Sequence, residues 1–513
     1  MRDWLSHRAR IDPDAVALVV AATSDVFSFG NLDTLVDDLA GRLAAAGIDS
    51  GTHLGAVLDS RLEYVCLIHA AMRLGVTLVP MGDGQTAREL AGQIRTADVA
   101  AVVCGAETES TVVDAVEAAE TTAVDATETT DIDQILTVDE PATDAAEALS
   151  DVIADPVTPA EWGLDDTQLL LFTSGTTGDP KAVQLTTGNL LASAVASTFR
   201  LGFDPDDRWH VALSLHHMGG IAPVLRMPLY GMTVVYQTEF DAGAAADYLD
   251  QYDATATSLV PTMLRRMLAR RGTLSESLRV VLLGGAPAPA DLIERCRDYS
   301  VPVHPTYGMT ETASQIATAR PAEAFEAPDS VGRPLIMTEV TVVDEDGASL
   351  PAGESGELVV DGPTVTPGYY GDDGANADAF GPFGLHTGDV GAFDERGLLT
   401  VLNRVDDRIV TGGENVEPGE VVDVLVAHPG VREAAVIGVP DAQWGERVSA
   451  VVVPEGDSIE RAELLDFARE RLARFKVPKA IAISDSLPRT VSGTVDRTAV
   501  RERFSGANDD SDE

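Results

Sequence analysis

An α/β fold follows from three features of this 513-residue chain. Short apolar runs alternate with stretches whose apolar positions recur at helical spacing, a pattern that runs from about residue 31 to about residue 330. Beyond about 335 it gives way to short alternating strands separated by Gly/Asp turns. From about 407 a small unit of helices and strands follows. The expectation is a large N-terminal region of βα units around mostly parallel sheet, then a β-rich subdomain, then a small C-terminal α+β unit. The length also exceeds that of a single core, so two to four domains are expected.

The elements read in order. Residues 31–48 (NLDTLVDDLAGRLAAAGI) carry a helical apolar stripe, and LGAVLD is strand-like. EYVCLIHAAMRLG reads as a helix ending at Gly75, and VTLVPM as the next buried strand. The alternation breaks between about 105 and 160, where AETESTVVDAVEAAETTAVDATETTDIDQ is acidic, Ala/Thr-rich and free of aromatics. Part of it reads as an acidic surface insertion or mobile loop, with VDAVEAAE as a solvated helix the alternative. Order resumes with QLLLFTSG and continues through TVVYQTEF, ATATSLVPTMLRRMLARR, LRVVLLGG and VPVHPTYG. EVTVVDEDG, GELVVDG and DVGAFDERGLLTVLNR form the β-rich text. In the C-terminal unit VVDVLVAHPG and IERAELLDFARERLARF read as helices, REAAVIGVP and RVSAVVVPEG as strands, and the tail SGANDDSDE as frayed.

Charge sets the class of partner. With 83 acidic against 36 basic residues, a formal charge of -47, the surface repels nucleic acid and anionic membranes. A halophilic host is the simplest reading, since dense carboxylates keep a protein hydrated where screening shrinks to roughly 3 Å at 1 M salt. Cys66, Cys104 and Cys296 are odd in number and far apart, which argues for a reducing interior rather than disulfides or zinc. The N-terminal text is neither a signal peptide nor a spanning helix, so a cytoplasmic location is expected. Monomer and homodimer both remain open.

Only three lysines occur, Lys181, Lys476 and Lys479, and the first ends the loop TSGTTGDPK at 173–181. This loop follows the buried run LLLF and precedes the helix-like GNLLASAVASTF. Its glycines let backbone amides approach a ligand, its hydroxyls add donors, and Lys181 adds a mobile charge, so it suits phosphate oxygens. The order of a Walker loop is absent.

TSGTTGDPK resembles the phosphate-loop signature of the adenylate-forming enzymes, which include acyl-CoA synthetases, peptide-synthetase adenylation domains and luciferases. The resemblance extends in order along nearly the whole chain, through YGMTET at 307–312, HTGDVG at 386–391, RVDDRIVTGGENVEP at 404–418 and LPRTVSGTVDR at 487–497. It implies a large N-terminal domain of two βα-layered sheets plus the β-rich subdomain, over 1–405. A small mobile C-terminal domain, 406–513, would follow, with a hinge near Asp406.

The implied chemistry is attack of a carboxylate on the α-phosphorus of ATP, then transfer of the acyl group to the thiol of coenzyme A. By resemblance Thr173, Ser174, Thr176, Thr177 and Lys181 would hold the β/γ-phosphates, with Gly175 and Gly178 giving backbone access. Thr310 would bind the α-phosphate, and Glu311 would hold Mg²⁺, which prefers carboxylate oxygen. Gly285, Ala286 and Pro287 would lie along the adenine, with Tyr307 stacked on it and Gly308 beside it. Asp389 would chelate the ribose hydroxyls and Arg404 would reach the ribose side. Asp406 would absorb a domain rotation between half-reactions. Gly412, Gly413, Glu414 and Asn415 would line the pantetheine path. Lys476 and Lys479 read as contacts to the CoA phosphates or as surface charges.

One departure stands out. The family's C-terminal loop carries a lysine that bridges carboxylate and α-phosphate, and Thr494 stands in its place. Loss of one transition-state donor costs roughly 10²–10³ in rate. Arg489 or Arg497 is a candidate substitute, and lysine avoidance in a salty cytoplasm is the other explanation.

Four stretches, 214–235, 258–268, 281–296 and 304–318, resemble the branch of o-succinylbenzoate–CoA ligases of menaquinone synthesis. His217 would then sit at the acyl-pocket entrance. Arg226, Thr262, Arg265, Ser314 and Gln315 are candidates for its cationic or multi-donor end, with Arg265 reading better as a helix-surface charge. A fatty or simple aryl acid is the alternative substrate. A nucleotide- or acyl-adenylate-binding relic without turnover is the non-enzymatic alternative, motivated by Thr494.

Overall fold

The computed structural model describes residues 3–121, 132, 134–173, 180–407, 409–411, 414–416, 418–441, 444–456, 459–469, 471–489 and 495–505. Positions 121, 406, 410, 414, 415, 445, 498, 502, 503 and 505 are described in backbone only. The chain divides into two compact units, residues 1–339 with 360–385 and residues 340–359 with 386–513. A single cut at 405/406 would be drawn differently, because 340–359 and 386–405 group with the C-terminal segment.

Among its described residues the first unit holds two large sheets. One has nine strands, parallel from Val16–Val20 through Val303–Tyr307 and edged by antiparallel strands. The other has seven, parallel except for its edge hairpin Thr167–Thr173/Lys181–Thr186. Strands such as Thr77–Met81, Ala101–Cys104 and Val280–Leu283 are buried at every residue, as expected where both faces are covered. The helix Leu62–Leu74 is mostly apolar and buried from Tyr64 to Leu74, His69 and Arg73 included, in a core shared by both sheets. It stops at Gly75, whose φ of 79° closes the left-handed cap.

The segment near 105–160 corrects an expectation. It is no surface insertion where described: it supplies the helix Glu109–Thr121 and the parallel strands Gln134–Thr137 and Ala146–Ala148 of the seven-stranded sheet. Val112, Ala115, Val116 and Ala119, spaced along one helix face, are all buried. The acidic composition belongs mostly to the outer face, although Glu109 is buried and accepts from the Ala142 and Thr143 amides. Residues 122–131 and 133 lie outside the described residues.

In the second unit the strands Leu399–Arg404 and Gly384–Phe393 pair antiparallel. A separate five-stranded sheet is built on the long hairpin Val431–Asp441/Gly445–Pro454, flanked by the helices Pro418–Val426 and Arg461–Arg469. The second helix is shorter than its periodic text suggested. Of the expected frayed tail, 506–513 lies outside the described residues. No helix among the described residues is long and apolar enough to cross a membrane. The three cysteines are free and buried, and burial pushes their thiols up to about 12.

Three buried histidines of the first unit give the fold an acid sensitivity. Burial lowers His69, His210 and His304 to about 4 each. Their unfolded value is near ~6.5, so the unfolded chain binds more protons between these limits. The stability they contribute is fully present above pH ~6.5 and is lost as pH falls through about 4. Neither nitrogen of His69 finds a hydrogen-bond partner among the described residues. His69→Leu is therefore expected to narrow the gap between melting temperatures at pH 8 and pH 5. An unchanged gap in a calorimetric scan refutes this.

Candidate active site

Thr173 and Lys181 face each other at the loop end of the edge hairpin. They frame the loop whose Ser174, Gly175, Thr176, Thr177 and Gly178 lie outside the described residues. Lys181 is half-buried, with Nζ 4.8 Å from the centroid of the Tyr369 ring. No carboxylate lies within ion-pair distance of it among the described residues.

The parallel strands Val280–Leu283 and Val303–Tyr307 end side by side, and each emits a glycine turn from its carboxyl end, the usual place for a ligand crevice. The first turn carries Gly285, with φ of 76°, then Ala286 and Pro287. The second carries half-buried Tyr307 and exposed Gly308. At Gly308 a Cβ would run into the Ser314 carbonyl, so only glycine fits. The short turn Thr310–Thr312 follows and presents half-buried Thr310 and buried Glu311. Glu311 Oε1 accepts a hydrogen bond from the Tyr369 hydroxyl at 3.1 Å. The structure thus brings Lys181, Tyr369 and Glu311 together.

His217 begins the helix Met218–Tyr230, exposed yet flanked by protein, and burial lowers its pKa. Two turns on, Arg226 is 5% exposed and borders a small cavity with Ser193, Met218, Ala222, Leu225 and Ala313. Its guanidinium donates to Ser193 Oγ at 2.8 Å and to Ser197 Oγ at 3.2 Å, and it has no carboxylate partner among the described residues. Burial lowers its pKa, the mark of a desolvated cation. Arg265 is instead exposed and bidentate to Asp291, a helix-surface charge. Thr262 is exposed, Ser314 half-buried, and buried Gln315 donates to Thr318 Oγ1 at 2.8 Å.

In the second unit Asp389 pairs in register with Arg404, whose Nε lies 3.7 Å from Asp389 Oδ1. The turn before Asp389 is held by Glu357, which accepts from Gly388 N at 3.1 Å and bonds His386 Nδ1 at 2.8 Å. Asp406 lies in the turn Val405–Asp407 directly after this strand pair. Gly412, Gly413 and Thr494 lie outside the described residues. Both candidate substitutes for the missing lysine are engaged, Arg489 with Glu433 and Arg497 with Asp407. Lys476 pairs with Glu420 at 2.5 Å, and Lys479 Nζ is 3.5 Å from the Arg474 carbonyl.

Residues 5–370 match the family model described as AMP-binding enzyme, and 420–494 match its C-terminal domain. The chain belongs to the AMP-binding enzyme family. It is 37% identical over 496 residues to the 2-succinylbenzoate–CoA ligase of Bacillus licheniformis, covering 96% of this chain and 98% of that protein. It superposes on the o-succinylbenzoate CoA synthetase of Bacillus subtilis in complex with the acyl-adenylate intermediate, with a TM-score of 0.86, 33% identity and 98% of each chain covered. The same synthetase with ATP and magnesium ion matches with a TM-score of 0.86 and 34% identity, over 97% of this chain and 99% of that chain.

For an AMP-binding enzyme the missed residues are Tyr369 and Glu357. Neither carries a motif of its own. Tyr369 stands in VTPGYYGDD, about 190 positions from Lys181, and only the fold joins them. A hint lay in the paired tyrosines after a Pro-Gly turn, a poor signal without contacts.

Proposed function

We propose that the chain is a ligase joining 2-succinylbenzoate to coenzyme A through an acyl-adenylate. An acid oxygen attacks the α-phosphorus of ATP and pyrophosphate leaves; the thiol sulfur then attacks the acyl carbon and AMP leaves. Lys181, with the hydroxyl loop before it, is read as the holder of the β/γ-phosphates, and Thr310 as an α-phosphate donor. The strand-end turns at Gly285–Pro287 and Tyr307–Gly308 are read as the adenine shelf. Asp389 is read as the ribose ligand, with Arg404 beside it, and Asp406 as the hinge of the catalytic cycle.

Glu311 suits Mg²⁺: it is a hard oxygen donor, it is buried, and its orientation is set by Tyr369. One carboxylate suffices, because this ion keeps waters and phosphate oxygens as its other ligands. Magnesium supplies charge neutralisation on the phosphates, and this chain's own task is to orient them.

Arg226 carries the substrate reading. Succinylbenzoate reacts through one carboxylate and keeps the other, which needs a cationic partner out of water. A buried guanidinium bonded, among the described residues, to two serine hydroxyls supplies it, whereas a fatty or plain aryl acid leaves that charge unanswered. His217, at the start of the same helix, is read as the residue at the pocket entrance. The acidic surface favours activity in high salt and a cytoplasmic setting.

Pyrophosphate release in molar KCl, with ATP, Mg²⁺ and a panel of acids, tests the assignment. Turnover is expected with succinylbenzoate. Arg226→Leu is expected to lower kcat/KM for it about 10²-fold, the scale of breaking a buried charge pair, while octanoate gains nothing comparable. Turnover with benzoate or octanoate alone refutes the substrate.

A further inference from the structure

We infer that Tyr369 is a positioning residue that couples the phosphate-loop lysine to the magnesium-holding carboxylate; the inference rests on the adenylation reading above. One side chain touches both groups. Its ring lies under Lys181 Nζ at 4.8 Å, and its hydroxyl donates to Glu311 Oε1 at 3.1 Å. The two groups come from different sheets, the lysine from the edge hairpin of the seven-stranded one and the acid from the turn after a strand of the nine-stranded one.

The segment around Tyr369 is fastened to both. Gln184 N donates to Gly368 O at 3.1 Å and Tyr370 N to Ala182 O at 2.8 Å, which fixes it along the lysine strand. Thr366 N donates to Glu311 O at 2.8 Å, which fixes it to the acid's own backbone. Asn376 clamps Tyr369 itself, accepting from its N–H at 2.6 Å and donating to its carbonyl at 2.9 Å. A side chain needed only for packing would not require a phenol: a leucine fills apolar space without a hydroxyl to satisfy. The ring face instead offers the cation an electron-rich surface without a carboxylate to neutralise it. The hydroxyl holds one carboxylate oxygen in place while leaving the charge intact.

The two functions separate by substitution. Calorimetric titration with ATP is run with and without MgCl₂ on the full chain, Tyr369→Phe and Tyr369→Leu, with melting temperatures alongside. Tyr369→Phe keeps the ring and loses the hydroxyl. It is expected to bind ATP normally without magnesium but to lose roughly tenfold of the magnesium-dependent gain in affinity, the scale of one charge-assisted hydrogen bond. Tyr369→Leu is expected to weaken magnesium-free ATP binding as well, by about threefold to tenfold. A magnesium dependence in Tyr369→Phe equal to that of the unaltered protein overturns the inference alone. So does an equal loss with and without magnesium that follows the melting temperature, which assigns Tyr369 to packing. Absence of ATP binding by the unaltered protein overturns the adenylation reading and this inference with it.

Discussion

Lys181→Ala is expected to lower kcat/KM for acid-dependent pyrophosphate release by roughly 10²–10³, the scale of losing one preorganised donor to a transferring phosphoryl group. The reason lies in how this cation is kept. The chain carries 83 acids, yet among the described residues none comes within ion-pair distance of Lys181. An ammonium held by a tyrosine ring retains its full charge for an anionic ligand, whereas a carboxylate partner would have cancelled it. Because Nζ makes no ion pair among the described residues and loses only the contact to the Tyr369 ring, stability is expected to fall by no more than about 1 kcal/mol, the scale of one cation–π contact. Loss of activity with little loss of melting temperature is the signature to look for. Lys181→Arg should recover only part of the rate, since a planar guanidinium on a longer stem does not replace a compact ammonium. A turnover within threefold of the parent for Lys181→Ala, in molar KCl, refutes the assignment.

Thr494→Lys is expected to act in the opposite direction, raising the adenylation rate at least tenfold. Thr494 supplies no charge where the family's lysine bridges carboxylate and α-phosphate. Three cations of the same unit are already paired: Arg489 with Glu433, Arg497 with Asp407 and Lys476 with Glu420. The two half-reactions separate the explanations. Formation of acyl-adenylate, followed by pyrophosphate release in a single turnover, should quicken. Thioester formation from preformed acyl-adenylate should not change. An unchanged adenylation rate means that another group has taken the lysine's place, and Arg489→Ala and Arg497→Ala then identify which. Detectable AMP binding with no turnover before or after the substitution favours a binding relic instead.

Much of the fold was legible because its signals are local. The helix ending at Gly75 was readable from a periodic apolar stripe and a glycine that alone adopts the left-handed cap cheaply. The strand before the phosphate loop was readable from an unbroken apolar run. The segment after 105 was not, since most of the acids of its helix face outward and the helix buries only small apolar residues, Val112, Ala115, Val116 and Ala119. Arg226 and Arg265 show the same limit at the site. Both are arginines on helices near candidate pocket residues; the sequence favours a surface role for Arg265, but it does not tell that Arg226 is buried. Packing against Ser193 and Ser197 buries one, and Asp291 neutralises the other at the surface.

By itself, then, the amino-acid order determined the α/β class, the succession of nucleotide motifs and the retention of one lysine at a hydroxyl-rich loop. Glycine placement, apolar period and charge are properties of neighbours along the chain. Tertiary structure alone decided that Tyr369 joins Lys181 to Glu311, and that Arg226 keeps its charge out of water. Burial and the pairing of charges are set by which distant segments pack together, and no short stretch of sequence carries that information.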